Sequence, residues 1–269
     1  MRSALTWVTM LVVTPFLAIL VLAAGLLGVP NRPGGIYDWV PRAWARIALR
    51  VAGVRLVIHG EERIREFTPR VFVSNHVSWF DIFALLAILP RYRFVAKSEL
   101  FRLPLFGPAA RRAGTIPIER ENRKAAFQAY EEAARGIRDG ASVVVCPEGT
   151  RGDSYALRPF KKGPFVLAIA AAAPVVPLVI HGTREVQPRG SLRIGSATVH
   201  VHLLDEISTT GLTYEDRDDL ADECWRRMAV VLEREHGVSS DGGSGKRERK
   251  RDSVRGARKK NGAVARMST

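Results

Sequence analysis

Cysteine is scarce in this sequence of 269 residues, and several motifs that mark common enzyme classes are missing. Cys146 and Cys224 are the only cysteines, which excludes a disulfide-rich scaffold, fits a reducing compartment and gives no zinc-ligand spacing. The chain has no G-x-S-x-G nucleophile elbow, phosphate-binding P-loop, G-x-G-x-x-G dinucleotide fingerprint or H-E-x-x-H zinc motif. It also has no repeat at a fixed period, which argues against a solenoid or a propeller. We therefore expect neither a metal ion nor a bound cofactor.

Acidic residues are the minority among the charged residues: 27 Asp and Glu stand against 41 Lys and Arg, giving a net charge of +14. About half of this excess lies after residue 238, where ten basic residues accompany three acidic ones. The Gly, Ser, Lys and Arg composition of residues 238–269 is typical of a disordered tail. Such a tail either attracts anionic lipid headgroups or has no specific partner. A nucleic-acid-binding protein would also be basic, but the rest of the chain lacks basic residues interleaved with aromatic ones, so we expect no nucleic-acid partner.

A long apolar run occupies the N-terminus, where Ser3 to Val29 carry no charge. A membrane-spanning helix needs about 20 apolar residues, so this run is long enough. A cleaved signal peptide is the alternative, because Arg2 and the small residues near Gly25 imitate its charged start and its cleavage site. The run is too long for the usual apolar region of a signal peptide, so we predict a retained anchor. Arginines follow at positions 32, 42, 46, 50 and 55. By the positive-inside tendency, we expect the remainder of the chain on the cytoplasmic side of the cell membrane.

A second candidate for membrane contact extends from Tyr37 to Val57. Its Trp and aliphatic residues recur at helical spacing, and Arg42, Arg46 and Arg50 form a basic row along the same helix. This pattern is typical of an amphipathic helix lying in the membrane interface, although an ordinary helix that covers a sheet has the same pattern. In either case we divide the chain into an N-terminal membrane anchor (1–57), a folded domain (58–237) and a basic tail (238–269).

Strand-like and helix-like segments alternate through the predicted domain. Short apolar runs predict strands near residues 54–59, 71–73, 92–96, 114–118, 141–146, 175–181 and 198–204. Pro117 has no amide hydrogen to donate to a neighbour, so its strand is expected at a sheet edge. The aromatic residues and helix breakers between Lys97 and Gly107 indicate a loop that lines an apolar groove. The alternation predicts the α/β class, with a mixed, mostly parallel sheet flanked by helices and preceded by the N-terminal anchoring helix.

A histidine and an aspartate lie at the corner between the second strand and a helix that Ser78 is expected to cap. At this corner the chain can turn the Asp81 carboxylate back onto the imidazole of His76, which makes the pair a candidate general base with its orienting partner. The alternative is that Ser78 and Asp81 simply form a capping box, and the local sequence does not decide between the two. A second pair with the same spacing, His200 and Asp205, follows an alternating strand. There an odd separation puts the two side chains on opposite faces.

Three further strand ends carry charged residues: Lys97 with Glu99, Glu119 with Arg120, and Glu148 with Arg151. Strand ends at one edge of a sheet converge, so we expect a basic pocket around His76, and arginine is well suited to bind a phosphate. Because no serine or cysteine nucleophile is evident, the pattern suggests a histidine that deprotonates the substrate itself. A hydroxyl on a phosphate-bearing molecule is the natural candidate.

Four short blocks occur in order through the predicted domain. They are Asn75-His76-x-x-x-x-Asp81, Lys97 to Gly107 with Gly114 to Arg120, Pro147 to Arg151, and Val175 to Ile180. These blocks resemble those of the glycerolipid acyltransferase family, most of all its bacterial 1-acyl-sn-glycerol-3-phosphate acyltransferases, over about residues 54–205. Four blocks in the right order are far more specific than a His-Asp pair alone. The resemblance therefore favours the catalytic interpretation of His76 and Asp81.

The resemblance implies an O-acyltransferase that makes phosphatidic acid in phospholipid biosynthesis. His76 would be the general base for the free sn-2 hydroxyl of 1-acyl-glycerol 3-phosphate (lysophosphatidic acid), and Asp81 would orient its imidazole. The hydroxyl oxygen would attack an acyl thioester directly, without a covalent acyl-enzyme. The co-substrate would be acyl-CoA or acyl carrier protein. By the same resemblance, the substrate-binding residues would be Arg120, Glu148, Gly149, Thr150, Arg151 and Lys97, although Lys97 is equally well explained as a solvated surface lysine.

Other functions stay open at the level of sequence. The same reaction could take glycerol 3-phosphate, a lyso-ornithine lipid or another lyso-lipid as acceptor. A membrane-anchored nucleic-acid-binding protein is a distant alternative, and a catalytically inactive lipid-binding relative is a third, against which the intact His76 and Asp81 pair argues. A membrane anchor suits a lipid acceptor, because it would hold the pocket at the level of the headgroups, and the basic residues would attract anionic lipids.

Overall fold

Seven strands form one sheet, as predicted. The structure, a computed structural model, describes residues 1–240 except positions 33, 65–67, 90 and 120–121. The strands are β1 (Arg55–His59), β2 (Val71–Ser74), β3 (Tyr92–Lys97), β4 (Ile116–Ile118), β5 (Ser142–Val145), β6 (Val175–His181) and β7 (Thr198–Leu203). Their order is β1-β7-β6-β2-β5-β3-β4, and every neighbouring pair is parallel except β6 with β7. The mixed, mostly parallel sheet is therefore confirmed, and the strand of Pro117 is an edge strand.

Helices cover both faces of this sheet. They are α1 (Arg2–Leu26), α2 (Ile36–Ala52), α3 (Trp79–Ile88), α4 (Phe106–Arg112), α5 (Arg123–Arg138), α6 (Gly163–Ala170), α7 (Thr183–Val186) and α8 (Arg217–His236). α2 and α3 pack on one face, where Phe72 and Leu178 are buried, and α5, α6 and α8 pack on the other, around Val73 and Val145. Successive residues of a strand point to opposite faces, so strands buried on both sides read as unbroken apolar runs.

The N-terminal helix α1 is long and apolar enough to cross a membrane, by length and composition. Leu17, Ala18 and Val21 pack with residues of α2 and α4 in a small apolar cluster. The opposite side of α1 exposes large apolar residues, namely Leu5, Val8, Leu11, Val12, Phe16 and Ile19. An exposed apolar surface of this kind marks a membrane or protein contact. One side of α1 therefore packs on the fold, and the other is free to make such a contact.

The second helix, α2, belongs to the helical layer on the sheet. Its residues Ala45, Leu49 and Ala52 are buried in the same core as α3. Two arginines of the predicted basic row are used within the fold: Arg42 donates to the carbonyl of Leu89 at 2.9 Å and Arg46 to that of Ala87 at 3.5 Å. Cations are favoured at the C-terminus of a helix, here α3, where carbonyls lack partners. The ordinary covering helix therefore accounts for most of this pattern, and the boundary at residue 57 stays a prediction.

One segment predicted as a loop contains a helix. α4 begins at Phe106, inside the region from Lys97 to Gly107, although Gly107 and Pro108 are poor helix formers. Pro108 lies in the first turn, where its missing amide hydrogen costs nothing, and Leu105 takes a positive φ of 60° immediately before the helix. The loop prediction was therefore wrong for its last two residues, Phe106 and Gly107, which begin α4.

The second His-Asp pair does not form a dyad. Asp205 pairs with Arg63 at 2.7 Å, while the imidazole of His200 lies 3.1 Å from that of His59. His59 and His200 belong to a cluster of five histidines from three strands and the end of α8, namely His59, His181, His200, His202 and His236. Within the described residues, no three histidine, cysteine or acidic side chains converge as metal ligands.

Packing continues slightly beyond the predicted domain end at residue 237. Val238 packs against the core, and the hydroxyl of Ser240 accepts a hydrogen bond from the amide of Leu157 at 2.9 Å. Contacts with the domain therefore continue to Ser240, and residues 241–269 of the predicted tail lie outside the described residues.

Candidate active site

The loop after β2 is fixed by a buried asparagine. The Asn75 side chain donates to the carbonyl of Ile180 at 2.9 Å and accepts from the amide of the same residue at 2.8 Å. It thereby continues the pairing of β2 with β6 beyond the last residue of the strand. A buried amide with both partners satisfied holds the chain in one path, and that path presents His76 at the carboxyl edge of the sheet.

His76 and Asp81 form the hydrogen-bonded pair that the sequence predicted. The Nδ1 of His76 lies 2.8 Å from the Oδ2 of Asp81, whose side chain is almost fully buried. The same oxygen accepts from the amides of Val77 at 2.7 Å and Ser78 at 2.8 Å. Its other oxygen accepts from the hydroxyl of Thr183 at the start of α7. Asp81 therefore accepts four hydrogen bonds in a buried position, so both of its carboxylate oxygens have partners away from water.

The capping box and the dyad exist together. Ser78 caps α3 through the amide of Phe80 at 3.2 Å, and Asp81 accepts from the amide of Ser78, so the box is complete. The two interpretations of Asp81 are thus compatible, because one carboxylate oxygen receives both the backbone amides and the imidazole. The helix start makes the carboxylate rigid, and the rigid carboxylate fixes the ring of His76.

Glu148 supports the same loop from the neighbouring strand end. Its Oε1 accepts from the amide of His76 at 3.2 Å, and its Oε2 accepts from Arg158 at 2.9 Å. Burial raises the pKa of the Glu148 carboxyl, while the hydrogen bond and charge of Arg158 oppose this rise. The carbonyl of His76 in turn accepts from the amide of Gly152 at 2.8 Å. Glu148 and the loop after β5 therefore position the backbone of His76, and a direct contact of Glu148 with substrate stays a prediction.

A cavity of about 740 Å³, the catalytic cavity, opens beside His76. Its polar lining contains most of the predicted site residues: His76, Lys97, Glu148, Gly149, Thr150 and Arg151. Most of the remaining wall is apolar and comes from α1, α2, α3 and the segment around α4, including Leu17, Val21, Phe83, Leu100, Phe101 and Phe106. The apolar groove expected from the Lys97 segment is thus present. A mostly apolar cavity with a few convergent polar groups is the usual form of a small-molecule site.

Arg151 is a cation without an acidic partner in this cavity. Its guanidinium lies over the ring of Trp79 at 5.0 Å, and no ion pair with a described acidic residue holds it. Burial and then the charge of Arg189 lower the pKa of Arg151, while Asp81 raises it. A partly desolvated guanidinium of this kind favours a bound anion.

Lys97 and Arg120 are the other two predicted phosphate ligands. Lys97 lines the cavity but pairs with Glu99 at 2.7 Å, and both side chains are half exposed. The two interpretations of Lys97 therefore both stay open. Arg120 lies outside the described residues, so its role also stays a prediction.

A lysine that the sequence reasoning passed over lies directly on Gly149. A Cβ built on Gly149 would meet the Cε of Lys161 at 2.7 Å, a flexible side chain that can move aside, whereas the φ of +79° favours glycine through the backbone. The sequence reasoning also missed Thr183 and Trp79. No spacing rule connects Thr183 or Lys161 to His76, because they reach the site from separate elements. Trp79 lies between His76 and Asp81 in the motif, but its position in the sequence does not indicate that its ring contacts Arg151.

Comparisons with known proteins identify the family of this chain. The acyltransferase family model matches residues 55–181. The chain is similar to human 1-acyl-sn-glycerol-3-phosphate acyltransferase alpha, with 33% identity over 195 residues, 72% of this chain and 68% of the human protein. It is 34% identical over 170 residues to a chloroplast 1-acyl-sn-glycerol-3-phosphate acyltransferase of Brassica napus. That match covers 62% of this chain and 49% of the plant protein, so the chain spans about half the length of this relative.

Another relative carries a different acceptor in its name. A lyso-ornithine lipid O-acyltransferase of Rhizobium meliloti (strain 1021) is 37% identical over 150 residues, which are 56% of this chain and 49% of that protein. Among solved structures, the 1-acyl-sn-glycerophosphate acyltransferase PlsC from Thermotoga maritima has a TM-score of 0.75 at 22% identity. The alignment covers 89% of this chain and 97% of that one. The structural likeness confirms the fold.

Proposed function

This chain belongs to the acyltransferase family, and on that premise we propose that it is an O-acyltransferase that moves a fatty acyl group from a thioester to the sn-2 hydroxyl of 1-acyl-glycerol 3-phosphate. The product is phosphatidic acid. The observation that carries the proposal is the 2.8 Å hydrogen bond between His76 and Asp81 in the wall of a cavity that also contains Arg151.

The hydrogen bonds of Asp81 decide which nitrogen of His76 can act as the base. Oδ2 of Asp81 accepts two backbone amides, so it is an acceptor for His76 as well, and Nδ1 must carry the proton between them. The lone pair is then on Nε2, which can remove a proton from the acceptor hydroxyl. As the imidazole becomes positive, the buried carboxylate stabilises it without moving.

The reaction balances with His76 as the only proton carrier. Nε2 takes the hydroxyl proton while the oxygen forms a bond to the thioester carbonyl carbon. The carbon–sulfur bond then breaks, and the leaving thiolate takes the same proton from Nε2 to become a thiol. The products are the new ester and the free thiol, and His76 is neutral again. A direct transfer of this kind needs no covalent acyl-enzyme.

Arg151 supports a phosphate-bearing acceptor. The phosphate of 1-acyl-glycerol 3-phosphate is attached to the carbon next to the one that bears the free hydroxyl, so it must lie close to His76 during the reaction. Arg151 lines the same cavity as His76 and, like Lys161, has no acidic partner among the described residues. We assign it to the acceptor phosphate, and Lys97 and Arg120 are further candidates for the same role.

The apolar N-terminal helix supports work at a membrane. α1 can cross a membrane by length and composition and also contributes Leu17 and Val21 to the catalytic cavity. An acceptor that stays in the bilayer can reach this wall without leaving an apolar phase. The arginines after α1 favour a catalytic domain on the cytoplasmic side of the cell membrane.

The test measures transfer of a labelled acyl group in membranes that contain the full-length protein. Acyl-CoA and acyl carrier protein are supplied separately as donors, and lysophosphatidic acid, phosphate-free 1-acylglycerol, glycerol 3-phosphate and a lyso-ornithine lipid serve as acceptors. We expect phosphatidic acid as the main product, and its formation should be lost in His76→Ala. His59→Ala is the matched control, because His59 is the last residue of β1 and lies outside the catalytic cavity.

The acceptor panel also tests Arg151. Arg151→Gln should weaken the use of lysophosphatidic acid far more than the use of 1-acylglycerol, because the first acceptor alone has a phosphate. Unchanged turnover in His76→Ala would refute the assignment of the base. Product from the lyso-ornithine lipid alone would show that the acceptor named for the Rhizobium relative is also that of this protein.

A further inference from the structure

A second, basic cavity lies on the other side of the same sheet edge. It measures about 1020 Å³ and lies between α5, α6 and the start of α8. We call it the basic groove. Its charged and aromatic lining consists of Tyr130, Glu131, Arg135 and Arg138 of α5, Phe160, Lys161 and Lys162 before α6, and Tyr214 and Arg217 near the start of α8. Among the described residues of the lining, five cations thus face one acidic side chain.

Two of these cations are already neutralised. Lys162 pairs with Asp218 at 2.5 Å, and Arg217 has carboxylate oxygens of Glu215 and Asp218 at 3.6 Å and 3.9 Å. The other three, Arg135, Arg138 and Lys161, have no ion pair within the described part of the chain. Arg135 and Arg138 are three residues apart on α5 and so lie on the same face of the helix. The groove therefore holds a surplus of positive charge in a concave site.

The basic groove and the catalytic cavity share part of their walls. Val95, Cys146, Gly149 and Lys161 line both cavities. Lys161 lies against Gly149 in this shared wall, so a cation lies between the apolar cavity and the basic groove. A single elongated ligand can therefore occupy both cavities if one of its ends is apolar and the other is anionic.

Resting on the proposed function, we propose that the basic groove binds the nucleotide portion of acyl-CoA while the acyl chain enters the catalytic cavity. Coenzyme A has an apolar acyl chain at one end and three phosphate groups with an adenine at the other, joined by a pantetheine arm. The three unpaired cations match its phosphates. Tyr214 offers aromatic surface for the base, since it is 58% exposed although Arg217 covers its ring at 4.0 Å. The acceptor's own phosphate has no need of the groove, because it lies beside Arg151.

The concave shape favours a nucleotide over a carrier protein. Ligand cavities for small molecules measure about 300–1000 Å³, and the groove has this size. The other reading of Arg135 and Arg138 is local, because both lie in the last turn of α5, where cations stabilise the helix end.

The test uses full-length protein in detergent micelles and compares Arg135→Gln, Arg138→Gln and the double variant with the wild type. Arg55→Gln is the matched control: Arg55 is exposed, begins the edge strand β1 and lines neither cavity. We expect each single variant to raise KM for acyl-CoA about threefold and the double variant about tenfold, as for exposed charge pairs. The kcat value and KM for the acceptor should stay unchanged.

A donor without phosphates makes the test specific. With acyl-pantetheine as donor, the double variant should equal the wild type, so the preference of the enzyme for acyl-CoA should shrink about tenfold. Equal loss with both donors, together with a lower melting temperature, would identify the arginines as helix stabilisers and overturn the proposal. A raised KM for acyl carrier protein with no change for acyl-CoA would also overturn it.

Binding of CoA separates this inference from the proposed function. Calorimetry on the His76→Ala protein needs no acyl transfer and should show CoA binding that weakens about tenfold in the Arg135→Gln, Arg138→Gln background. If no acceptor is acylated but CoA binding depends on the two arginines, the groove assignment stands and the reaction is wrong. If CoA binds equally to both proteins, the groove assignment is wrong, whatever the activity.

Discussion

Replacing Asp81 with asparagine separates its role as a helix cap from its role as the charged partner of His76, because a side-chain amide can make the same hydrogen bonds as the carboxylate. The oxygen of the amide can take the position of Oδ2 and accept from the amides of Val77 and Ser78 and from Nδ1 of His76. The NH2 group then faces the hydroxyl of Thr183, which can accept as well as donate. The capping box and the imidazole orientation are therefore retained, and only the negative charge is removed.

The magnitude follows from what the charge does. A helix start loses about 1 kcal/mol when a nearby negative charge is neutralised, which lowers the melting temperature of a chain of this size by about 2–4 °C. The imidazolium that forms during the reaction loses a charged partner at hydrogen-bond distance, worth about 2–4 kcal/mol in a buried pair. Since 1.36 kcal/mol is a factor of ten in rate, kcat should fall roughly 30- to 1000-fold while the KM values change little.

Ser78→Ala provides the opposite perturbation. It removes the hydroxyl that accepts from Phe80 and donates to the carbonyl of Gln187, and it leaves the contact of Asp81 with His76 in place. We expect a loss of stability of about 1 kcal/mol and a kcat close to that of the wild type. Melting curves and initial rates with saturating donor and acceptor check both variants. An Asp81→Asn protein that melts early but keeps wild-type kcat would show that Asp81 is a cap and nothing more.

Three other perturbations have definite outcomes. Gly149→Ala should lower the melting temperature, because a φ of +79° is unfavourable for alanine, whereas the Lys161 side chain can move away from the new Cβ; an unchanged melting temperature would contradict the backbone strain. Glu148→Gln should lower both the melting temperature and kcat. The new NH2 group would face the donor Arg158, while the side-chain oxygen would still accept from the amide of His76. A lower melting temperature with unchanged kcat would show that Glu148 stabilises the fold and has no part in the reaction. Burial and neighbouring histidines lower the pKa of His202 and His236 from 6.5 to about 4. The contribution of these two neutral histidines to the free energy of unfolding should therefore be complete above pH 6.5. It should be lost as the pH falls toward 4, because in this range the unfolded chain binds protons at these residues and the folded chain does not. Melting temperatures measured across this range should depend less on pH in His202→Gln, and an equal slope would refute the assignment.

The strands were predictable because burial on both faces leaves an unambiguous signal. Val71 to Val73 and Val143 to Val145 are apolar without interruption, and each lies in the middle of the sheet. The dyad was predictable in part, since the corner between a strand and a helix brings His76 and Asp81 together through local geometry. The same locality also predicted the capping box, and sequence alone had no means of showing that one oxygen serves both.

The contacts that were missed join distant parts of the chain. Thr183 reaches Asp81 from a helix of four residues that has no periodicity to detect. The basic groove takes its cations from α5, from the loop before α6 and from the start of α8, which only the sheet order brings together. α4 was missed because propensity disfavours a helix with Gly107 and Pro108, whereas packing of Ala109 against α1 stabilises it.

The N-terminal helix α1 forms one wall of the catalytic cavity. Thr14, Leu17, Ala18 and Val21 of α1 form part of the catalytic cavity, next to residues of α2 and α4. Without α1 this wall would be open to water, and the apolar residues of α4 would lose their partners. Water in the cavity would also weaken the interaction between Asp81 and a charged His76, since electrostatic effects are stronger in a dry, apolar site. The helix that can hold the protein in a membrane therefore also supplies the apolar surroundings in which the His76 and Asp81 pair works.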